Sequence, residues 1–298
     1  MTGLVSVVVD GIIYSSYLFI IAVGLTLIYG VMKILNMAHG SLYALGAYVA
    51  ATLIGAWFTG DLNPYGSFAL LLAAPLLVAI VAGPVIERGL LRFMYGKDEI
   101  VLILVTYAVL LILEDVIKLV WGVESYAAYQ PYGLLGNFDV GGLPYTVYDA
   151  LLVLVAIIVG AALTWALTRT RQGKLLLAVI HDREISAAMG INVQRVYLVT
   201  FTIGTLLAAL GGALIAPKVS IVPAMGVEVI VLAFAVVVIG GLGSLPGAAL
   251  GALIVGLVRS VAVHYLPEVE LFAIYFVMAL VLIIRPKGLF SPPEPRKI

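Results

Sequence analysis

The feature that most limits the fold of this chain is a series of long apolar windows that contain almost no charge. A helix needs about 20 apolar residues to cross the ~30 Å hydrocarbon core of a bilayer, where lipid offers the backbone no hydrogen-bond partners. The sequence therefore predicts an all-α, polytopic membrane protein with eight or nine transmembrane segments. The candidate spans are residues 11–32, 41–59, 66–86, 100–121, 149–168, 196–216, 227–241, 246–264 and 269–285.

The composition indicates that lipid is the solvent of this chain. Of its 298 residues, 63% are hydrophobic and 11% are charged, whereas a soluble domain carries about 25% charged residues. The 16 basic and 16 acidic residues give no net charge, so nothing favours nucleic-acid binding. We expect residues 1–298 to form one transmembrane domain, because neither the outer loop near 122–148 nor the inner loop near 169–195 is long enough to fold alone.

A charge-free stretch at residues 229–258 requires an interruption, since one continuous helix of this length would be about 45 Å long. Residues 240–247 supply it, because they combine several glycines with Pro246. Glycine weakens a helix through backbone entropy, and proline removes an N–H donor. The sequence leaves open whether residues 227–264 form two full crossings or a re-entrant hairpin.

The distribution of Lys and Arg predicts the orientation, because these residues concentrate on the cytoplasmic side of a membrane protein. With nine spans and the N-terminus outside, only Lys118, Lys218 and Arg259 lie outside, against thirteen inside. Merging the seventh and eighth spans makes this ten against six, so the interrupted arrangement and a cytoplasmic C-terminus are favoured. The thirteen inside are Lys33, Arg88, Arg92, Lys97, Arg169, Arg171, Lys174, Arg183, Arg195, Arg285, Lys287, Arg296 and Lys297.

No catalytic residue and no metal site is expected in this chain. His39, His181 and His264 fall in different loops of the predicted topology, so they do not converge on one metal ion. The phosphate-binding pattern GxxxxGK[ST] is missing, because Gly173 and Lys174 lack the upstream glycine and the following Ser or Thr. If ATP powers this protein, the nucleotide site is therefore on another polypeptide.

The inner loop is predicted to contain a short capped helix. Asp182 is a suitable N-cap and Gly190 a suitable C-terminal stop, which predicts about two helical turns between them. Small apolar side chains flanked by charges suit docking into a groove of a partner protein. An amphipathic helix lying on the membrane is the alternative. The residues assigned to docking are Asp182, Arg183, Glu184, Ala187, Ala188, Met189 and Gly190.

Three further features each have a structural and a functional interpretation. The glycines that recur every fourth residue in 243–251 favour close helix packing over a pathway wall. Glu114, Asp115 and Lys118 in the fourth span favour a locally neutralised cluster over a proton relay. The tyrosines of the outer loop favour anchoring at the membrane interface over ligand contact.

Several segments of the chain together form a recognisable pattern. The most specific is GLTLIYGVMKILNMAHG at residues 24–40, followed by LGAY at 45–48. The inner loop at 182–192, the interruption at 240–247 and RPKGLF at 285–290 continue it. In this order the segments resemble the LivH-type permease subunits of branched-chain amino acid ABC importers, and the resemblance covers nearly the whole chain.

The resemblance implies a multi-pass protein of the bacterial or archaeal cytoplasmic (inner) membrane that moves branched-chain amino acids inward. It also implies a related, LivM-like second permease, two cytoplasmic ATPases that use ATP and an extracytoplasmic solute-binding protein, with no cofactor on this chain. Residues 182–190 would be the coupling helix to the ATPases. Of the wider importer signature EAAxxxG, Glu184 and Gly190 are present, but Ile185 and Ser186 replace the two alanines.

For the translocation pathway we expect two helix interruptions, because such breaks present free backbone dipoles to a solute. Two other functions stay open: a permease for urea or short amides in a related importer, and an ion-coupled secondary transporter, for which Glu114 and Asp115 offer the ion site. A passive channel would leave the capped inner helix without a role. The residues assigned to the pathway are Asn36, His39, Gly40, Gly240, Gly241 and Gly243.

Overall fold

The computed structural model of the chain describes residues 2–290, so the orientation arguments from Arg296 and Lys297 lie outside the described residues. Helices make up almost all of its secondary structure. In chain order the elements are α1 (Thr2–Met32), α2 (His39–Thr59), α3 (Ser67–Gly89), α4 (Glu99–Trp121), α5 (Gln130–Gly133), β1 (Asn137–Val140), β2 (Leu143–Thr146), α6 (Val147–Arg169), α7 (Arg171–His181), α8 (Arg183–Ala188), α9 (Val193–Ile215), α10 (Met225–Gly240), α11 (Leu245–Tyr265) and α12 (Glu270–Ile284).

Every predicted span is a helix, which confirms the all-α, polytopic class. Eight helices are long and apolar enough to cross a membrane, and α10 is an additional apolar helix of 16 residues. Most helix ends lie within three residues of their predicted positions, but α1 begins at Thr2 instead of near residue 11. The predicted boundary was set by the charge of Asp10. In the structure this carboxylate is accommodated beside α11, with Oδ2 3.5 Å from Nε2 of His264.

The centre of the bundle is formed by α1 and α9. In their most apolar windows, 83% of the α1 residues and 72% of the α9 residues are buried, against 11% in α6 and 6% in α12. Small residues also let α2 approach α9 closely. A Cβ added to Gly46 would lie 2.3 Å from the carbonyl oxygen of Ala209, and one added to Gly212 would lie 1.9 Å from that of Tyr43. Such close backbones give the van der Waals contact that holds helices together in lipid.

The predicted interruption between the seventh and eighth spans is confirmed. Helix α10 ends at Gly240, and α11 begins at Leu245 with Pro246 in its first turn, where its missing N–H costs nothing. The two helices pack as an antiparallel pair: a Cβ on Gly247 would lie 2.3 Å from the Gly240 carbonyl oxygen, and one on Gly251 would lie 2.2 Å from that of Val236. The glycines spaced by four are thus a packing face within this chain, as expected.

The bundle has two distinct ends. The β1–β2 hairpin, the start of α1 and the end of α11 lie at one end, which we call the hairpin end. Helices α7 and α8 lie at the other end, which we call the α8 end. The end of α1 contacts α7 and lies there too, where Gly30 packs against Gly243. Helix α10 starts beside the first turn of α2, where Gly226 packs against Gly40, and its last turn accepts backbone hydrogen bonds from Leu289 and Phe290 at the α8 end. With 16 residues it is shorter than the about 20 that a full crossing needs, so two full crossings and a re-entrant hairpin both stay open for residues 227–264.

Residues 33–38 form a second interruption, between α1 and α2. Lys33 has a φ of +55°, which turns the chain back into the bundle. The Thr106 hydroxyl on α4 lies 3.2 Å from both the Leu35 carbonyl oxygen and the Met37 amide nitrogen. Helix α2 then starts beside the middle of α1, where His39 Nε2 lies 2.9 Å from the Ile21 carbonyl oxygen. Non-helical backbone at membrane depth requires such enclosure by protein.

Candidate functional site

The hairpin end contains a cavity of about 1150 Å³. Its walls come from α1, α2, α5, α6, α10, α11 and α12, together with β2, the last residue of α9 and the segment that follows it. We call it the hairpin-end cavity. Its volume lies slightly above the range of about 300–1,000 Å³ that is common for ligand sites. It is therefore large enough for a small solute with accompanying water.

Arg259 of α11 is the most constrained basic residue in this cavity. Its Nε donates to Glu270 Oε1 at 2.6 Å, and its guanidinium carbon lies 3.9 Å from the centre of the Tyr14 ring. Stacking on a ring fixes the plane of a guanidinium group, and one ion pair occupies only part of its five N–H donors. Arg259 thus has donors left for a further anionic group in the cavity.

A second ion pair lies in the cavity wall near the β hairpin. The Lys218 ammonium lies 2.6 Å from Asp149 Oδ1. Asp149 is buried, and its Oδ2 accepts hydrogen bonds from the hydroxyls of Thr146 at 2.7 Å and Tyr132 at 3.0 Å. A buried carboxylate is stable only with such a complete set of partners. This pair therefore fixes the start of α6 to the segment after α9.

Glu228 differs from the other acids that line the cavity. It sits in the first turn of α10, it is exposed, and it makes no ion pair or side-chain hydrogen bond within residues 2–290. The cavity wall carries four acids, Asp10, Asp149, Glu228 and Glu270, against the two bases Lys218 and Arg259. With His264 neutral, these charges leave an excess of negative charge in the cavity.

Tyrosines form the polar part of the remaining wall. The hydroxyls of Tyr17 and Tyr43 lie 2.9 Å apart at its buried end. At the hairpin, burial raises the pKa of Tyr145 above its ordinary value, and the nearby Asp10 carboxylate raises it further. Burial likewise raises the pKa of Tyr132. The outer-loop tyrosines therefore do not all anchor the protein in the interface, since Tyr132 and Tyr145 line this cavity.

The α8 end carries the predicted docking helix. Asp182 Oδ1 accepts a hydrogen bond from the Ile185 amide at 2.9 Å, and Gly190 takes a φ of +84°, so the cap and the stop act as expected. The helix has six residues, slightly less than the two turns predicted. Ser186 faces inward, whereas Ile185 is 63% exposed and Met189 is 79% exposed. The other residues assigned to docking are also exposed, namely Asp182, Arg183, Glu184, Ala187, Ala188 and Gly190.

A line of aromatic contacts connects α8 to the bundle. The Arg183 guanidinium lies 5.6 Å from the centre of the Tyr197 ring on α9, and this ring meets Tyr95 edge-on at a centroid distance of 4.8 Å. The Tyr95 hydroxyl donates a hydrogen bond to Glu87, a buried carboxylate on α3. Burial and this hydrogen bond raise the pKa of Tyr95. Sequence reasoning found α8 but missed both this line of contacts and α7.

The first group of predicted pathway residues lies at the interruption between α1 and α2. Asn36 and His39 are completely buried, and Asn36 Nδ2 and Oδ1 and His39 Nδ1 lack a hydrogen-bond partner among the described residues. Thr200 and Thr205 on α9 each carry a buried hydroxyl in the same condition. Unpaired polar atoms at membrane depth are costly, which is consistent with water or a solute reaching them in another state.

The remaining predicted pathway residues make close backbone contacts. A Cβ on Gly40 would lie 2.1 Å from the Gly226 carbonyl oxygen, and one on Gly240 would lie 2.1 Å from that of Gly247. Gly241 packs in the same way against Phe290, and Gly243 against Gly30. None of the six predicted residues lines the hairpin-end cavity. Their role in the pathway stays a prediction.

The acidic residues of α4 do not form the cluster that their spacing predicted. Lys118 pairs with Asp115 at 3.1 Å on the exposed side of the helix. Glu114 is instead buried, and its Oε2 accepts a hydrogen bond from the Ala224 amide at 2.9 Å. Glu114 therefore does not share Lys118 with Asp115, because its side chain points at the start of α10. Within the described part of the chain, no group of three His, Asp or Glu residues is placed to hold a metal ion.

The cavity residues carried a sequence signal that the spacing arguments did not use. Glu228 and Arg259 both fall within predicted spans. An ionisable residue within a span indicates a functional position, because it is costly to place in lipid. Their convergence with Tyr14 and Glu270 depends on the arrangement of α1, α10, α11 and α12, which no local pattern specifies.

Comparison with known proteins assigns the family. A family model described as the permease component of branched-chain amino acid transport systems matches residues 7–284. The chain is 28% identical to the high-affinity branched-chain amino acid permease LivH of Escherichia coli K12, and 29% identical to the corresponding BraD of Pseudomonas aeruginosa. Each alignment covers 97% of this chain and 96% of the relative.

A probable branched-chain amino acid permease, LivH of Methanocaldococcus jannaschii, is 30% identical over 86% of this chain and 80% of its own length. No solved structure matches the chain significantly. The family match extends from α1 to the end of α12 and so includes both the hairpin-end cavity and α8. The chain therefore belongs to the family of permease components of branched-chain amino acid transport systems, and it is a multi-pass, non-enzymatic transport component.

Proposed function

We propose that this chain is the membrane subunit of an ATP-driven importer that moves branched-chain amino acids inward across a bacterial or archaeal cytoplasmic membrane. The observation that carries this proposal is the similarity to LivH and BraD, which covers 97% of this chain and 96% of each relative. A match of this extent includes every helix and both ends of the bundle. This similarity supports branched-chain amino acids as the cargo more strongly than it supports urea or short amides.

The partners follow from what this chain contains and what it leaves to other chains. Its sequence has no phosphate-binding loop, so ATP would be hydrolysed by two cytoplasmic ATPase subunits. Helix α8 suits their docking, because it is short, capped and exposed, and a shallow depression lined by Arg183, Glu184 and Ala187 runs beside it. A related, LivM-like permease would complete the membrane part, and an extracytoplasmic solute-binding protein would deliver the cargo.

The orientation is supported by the positions of the basic residues. Lys118, Lys218 and Arg259 are the only Lys or Arg residues near the hairpin end among the described residues. By the order of the helices, all other described Lys and Arg residues lie at the α8 end. Because basic residues concentrate in the cytoplasm, the α8 end would face the ATPases and the hairpin end would face the binding protein.

ATP-dependent uptake of labelled leucine and urea into proteoliposomes tests this function. The chain is reconstituted with its candidate partner subunits and binding protein, with and without Ala187→Arg. We expect leucine uptake that requires ATP, and a fall of about tenfold or more in the variant, because a new charge in a docked interface loses its hydration. The control is Ala127→Arg, an exposed position at the hairpin end, which should leave the ATPases bound.

The outcomes separate the competing functions. Uptake of urea without leucine would replace the proposed cargo. Transport by the isolated chain that follows an ion gradient and ignores ATP would overturn the importer and direct attention to Glu114 and Asp115. Retention of the ATPases and of full uptake in Ala187→Arg would remove α8 from the docking site.

A further inference from the structure

The hairpin-end cavity contains one free acid and one partly free base. Glu228 makes no ion pair among residues 2–290, whereas Arg259 is held by Glu270 and Tyr14 with donors remaining. Of the other acids on the wall, Asp149 is paired with Lys218 at 2.6 Å, and Asp10 lies 3.5 Å from the imidazole of His264. Glu228 is therefore the acid of the wall with no ion pair or side-chain hydrogen bond among residues 2–290, and Arg259 is the base with donors left for a solute.

The rest of the cavity wall supplies an apolar surface. Ile13, Leu152, Val231 and Leu232 all contribute to it, and they belong to α1, α6 and α10. Ligand sites of this kind combine a mainly apolar wall with a few polar groups that set orientation and specificity. A solute with both charges at one end and an aliphatic group at the other would match this division.

We propose that the hairpin-end cavity binds a zwitterionic α-amino acid directly, with its ammonium group at Glu228 and its carboxylate at Arg259. The aliphatic side chain lies against the apolar wall. This inference rests on the proposed function for its cargo class, and it adds that the permease itself selects the cargo by charge.

The excess of negative charge on the wall also predicts what the cavity rejects. An acidic amino acid carries a second carboxylate. Of the two Lys or Arg residues on the described wall, Lys218 is paired with Asp149, and Arg259 would already bind the first carboxylate. The second carboxylate would face Glu228 or the paired acids, and like charges at close range in a low-dielectric site are strongly unfavourable. Neutral amino acids are thus accepted, and acidic ones are excluded.

The test measures direct binding to the complete transporter in nanodiscs, without ATP and without binding protein. Labelled leucine is displaced by two analogues that each lack one charge, 4-methylpentanoate without the ammonium and 3-methylbutylamine without the carboxylate. We expect each analogue to bind about tenfold or more weakly than leucine, since each leaves one charged group in the cavity without a partner. Aspartate should not displace leucine.

Variants then assign each charge to its residue. Glu228→Gln should weaken leucine binding about tenfold or more and abolish the preference for leucine over 4-methylpentanoate. Arg259→Gln should instead abolish the preference for leucine over 3-methylbutylamine. The matched control is Asp115→Asn, which removes an exposed acid outside the cavity and should change neither preference.

Each outcome decides a different statement. Equal binding of leucine and both analogues by the unaltered transporter overturns the inference even if a variant fails to assemble. Unchanged leucine binding in Glu228→Gln also overturns it. The proposed function is judged separately, because ATP-dependent leucine uptake in the presence of the binding protein can persist when the cavity has no charge selectivity. Absence of ATP-dependent leucine uptake by the unaltered transporter with its binding protein would refute the proposed function itself.

Discussion

The two ends of the molecule are built in opposite ways. At the hairpin end, charges lie inside a cavity whose wall is assembled from helices far apart in the sequence, from Asp10 to Tyr275. At the α8 end, a single short helix within one loop presents its side chains outward, with Met189 79% exposed. A cavity that encloses a solute requires convergence of many elements, whereas a surface that meets a partner requires only one exposed element.

The difference also concerns how each end is held in place. The cavity is fixed by ion pairs such as Lys218 with Asp149, so its shape depends on charge. Helix α8 is fixed by its own cap and by contact of Arg183 with Tyr197, which leads through Tyr95 to α3. Between the two ends, residues 33–38 leave the buried amide of Asn36 unpaired. Helices α1 and α11, which pack against each other, extend from one end to the other and connect them.

The largest effect is expected from a substitution that disturbs this connection. Gly240→Leu places a side chain where a Cβ would lie 2.1 Å from the Gly247 carbonyl oxygen, in the contact between α10 and α11. Overpacking of this kind costs about 3 kcal/mol, so we expect the yield of monodisperse protein in detergent to fall by about tenfold or more. Size-exclusion chromatography measures this yield.

The control for that substitution is Gly55→Leu on α2, where an added Cβ meets nothing within 4 Å. It should leave the yield within about twofold of the unaltered protein, because surface changes of this kind alter stability by about 0.5 kcal/mol or less. Normal yield and normal transport in Gly240→Leu would show that the two helices separate more easily than their contacts indicate.

A smaller effect is expected from opening the ion pair of the hairpin end. Lys218→Met leaves Asp149, which is 6% exposed, without its ammonium partner. Removing one member of a buried pair costs about 3–5 kcal/mol, and partial exposure of Lys218 reduces this to about 2 kcal/mol. The midpoint of thermal unfolding in detergent should fall accordingly.

Lys118→Met is the matched control, because Lys118 pairs with Asp115 at 3.1 Å on the surface of α4. Exposed pairs of this kind contribute about 0–1 kcal/mol, so the unfolding midpoint should hardly change. If both substitutions lower the midpoint equally, the hairpin end does not depend on its buried charges in the way its geometry indicates.

The local features of this fold could be predicted from the sequence. The spans follow from apolar windows, the interruption at 240–247 from glycines and Pro246, and α8 from the capping chemistry of Asp182 and Gly190. Each depends on a few neighbouring residues. The early start of α1 was missed because Asp10 was treated as a boundary, although its carboxylate is accommodated beside His264.

The cavity could not be predicted, because it exists only in the packed bundle. Its helices are apolar on all faces, so the sequence of α10 does not show which side meets α1 and which meets lipid. Spacing in α4 predicted that Glu114 and Asp115 would share Lys118, but tertiary contact with Ala224 draws Glu114 inward. The functional charges were visible as charges within spans, but their partners were not.

A change at the α8 end should alter coupling and leave the cavity unaffected. Gly190 has a φ of +84° with open space around it, so Gly190→Val strains the backbone without a clash. A left-handed conformation costs a residue with a side chain about 1–2 kcal/mol. We expect ATP-dependent leucine uptake to fall about threefold to tenfold while direct leucine binding stays unchanged. Gly133→Val, at a position without positive φ and with equally open space, is the control.

The smallest effect is a pH dependence confined to the hairpin end. Burial raises the pKa of Tyr145 above its ordinary value of 10.0, and the Asp10 carboxylate adds to this. The folded protein thus holds the phenolic proton more tightly than the unfolded chain, so this contribution to stability is complete below a pH of about 10 and is lost as the pH rises through the raised pKa. Tyr145→Phe should abolish this part of the alkaline loss of stability, and Asp10→Asn should shift it to lower pH. Thermal unfolding midpoints measured across the alkaline range check both, and an identical pH profile in Tyr145→Phe would show that the hairpin end contributes no titrating group there.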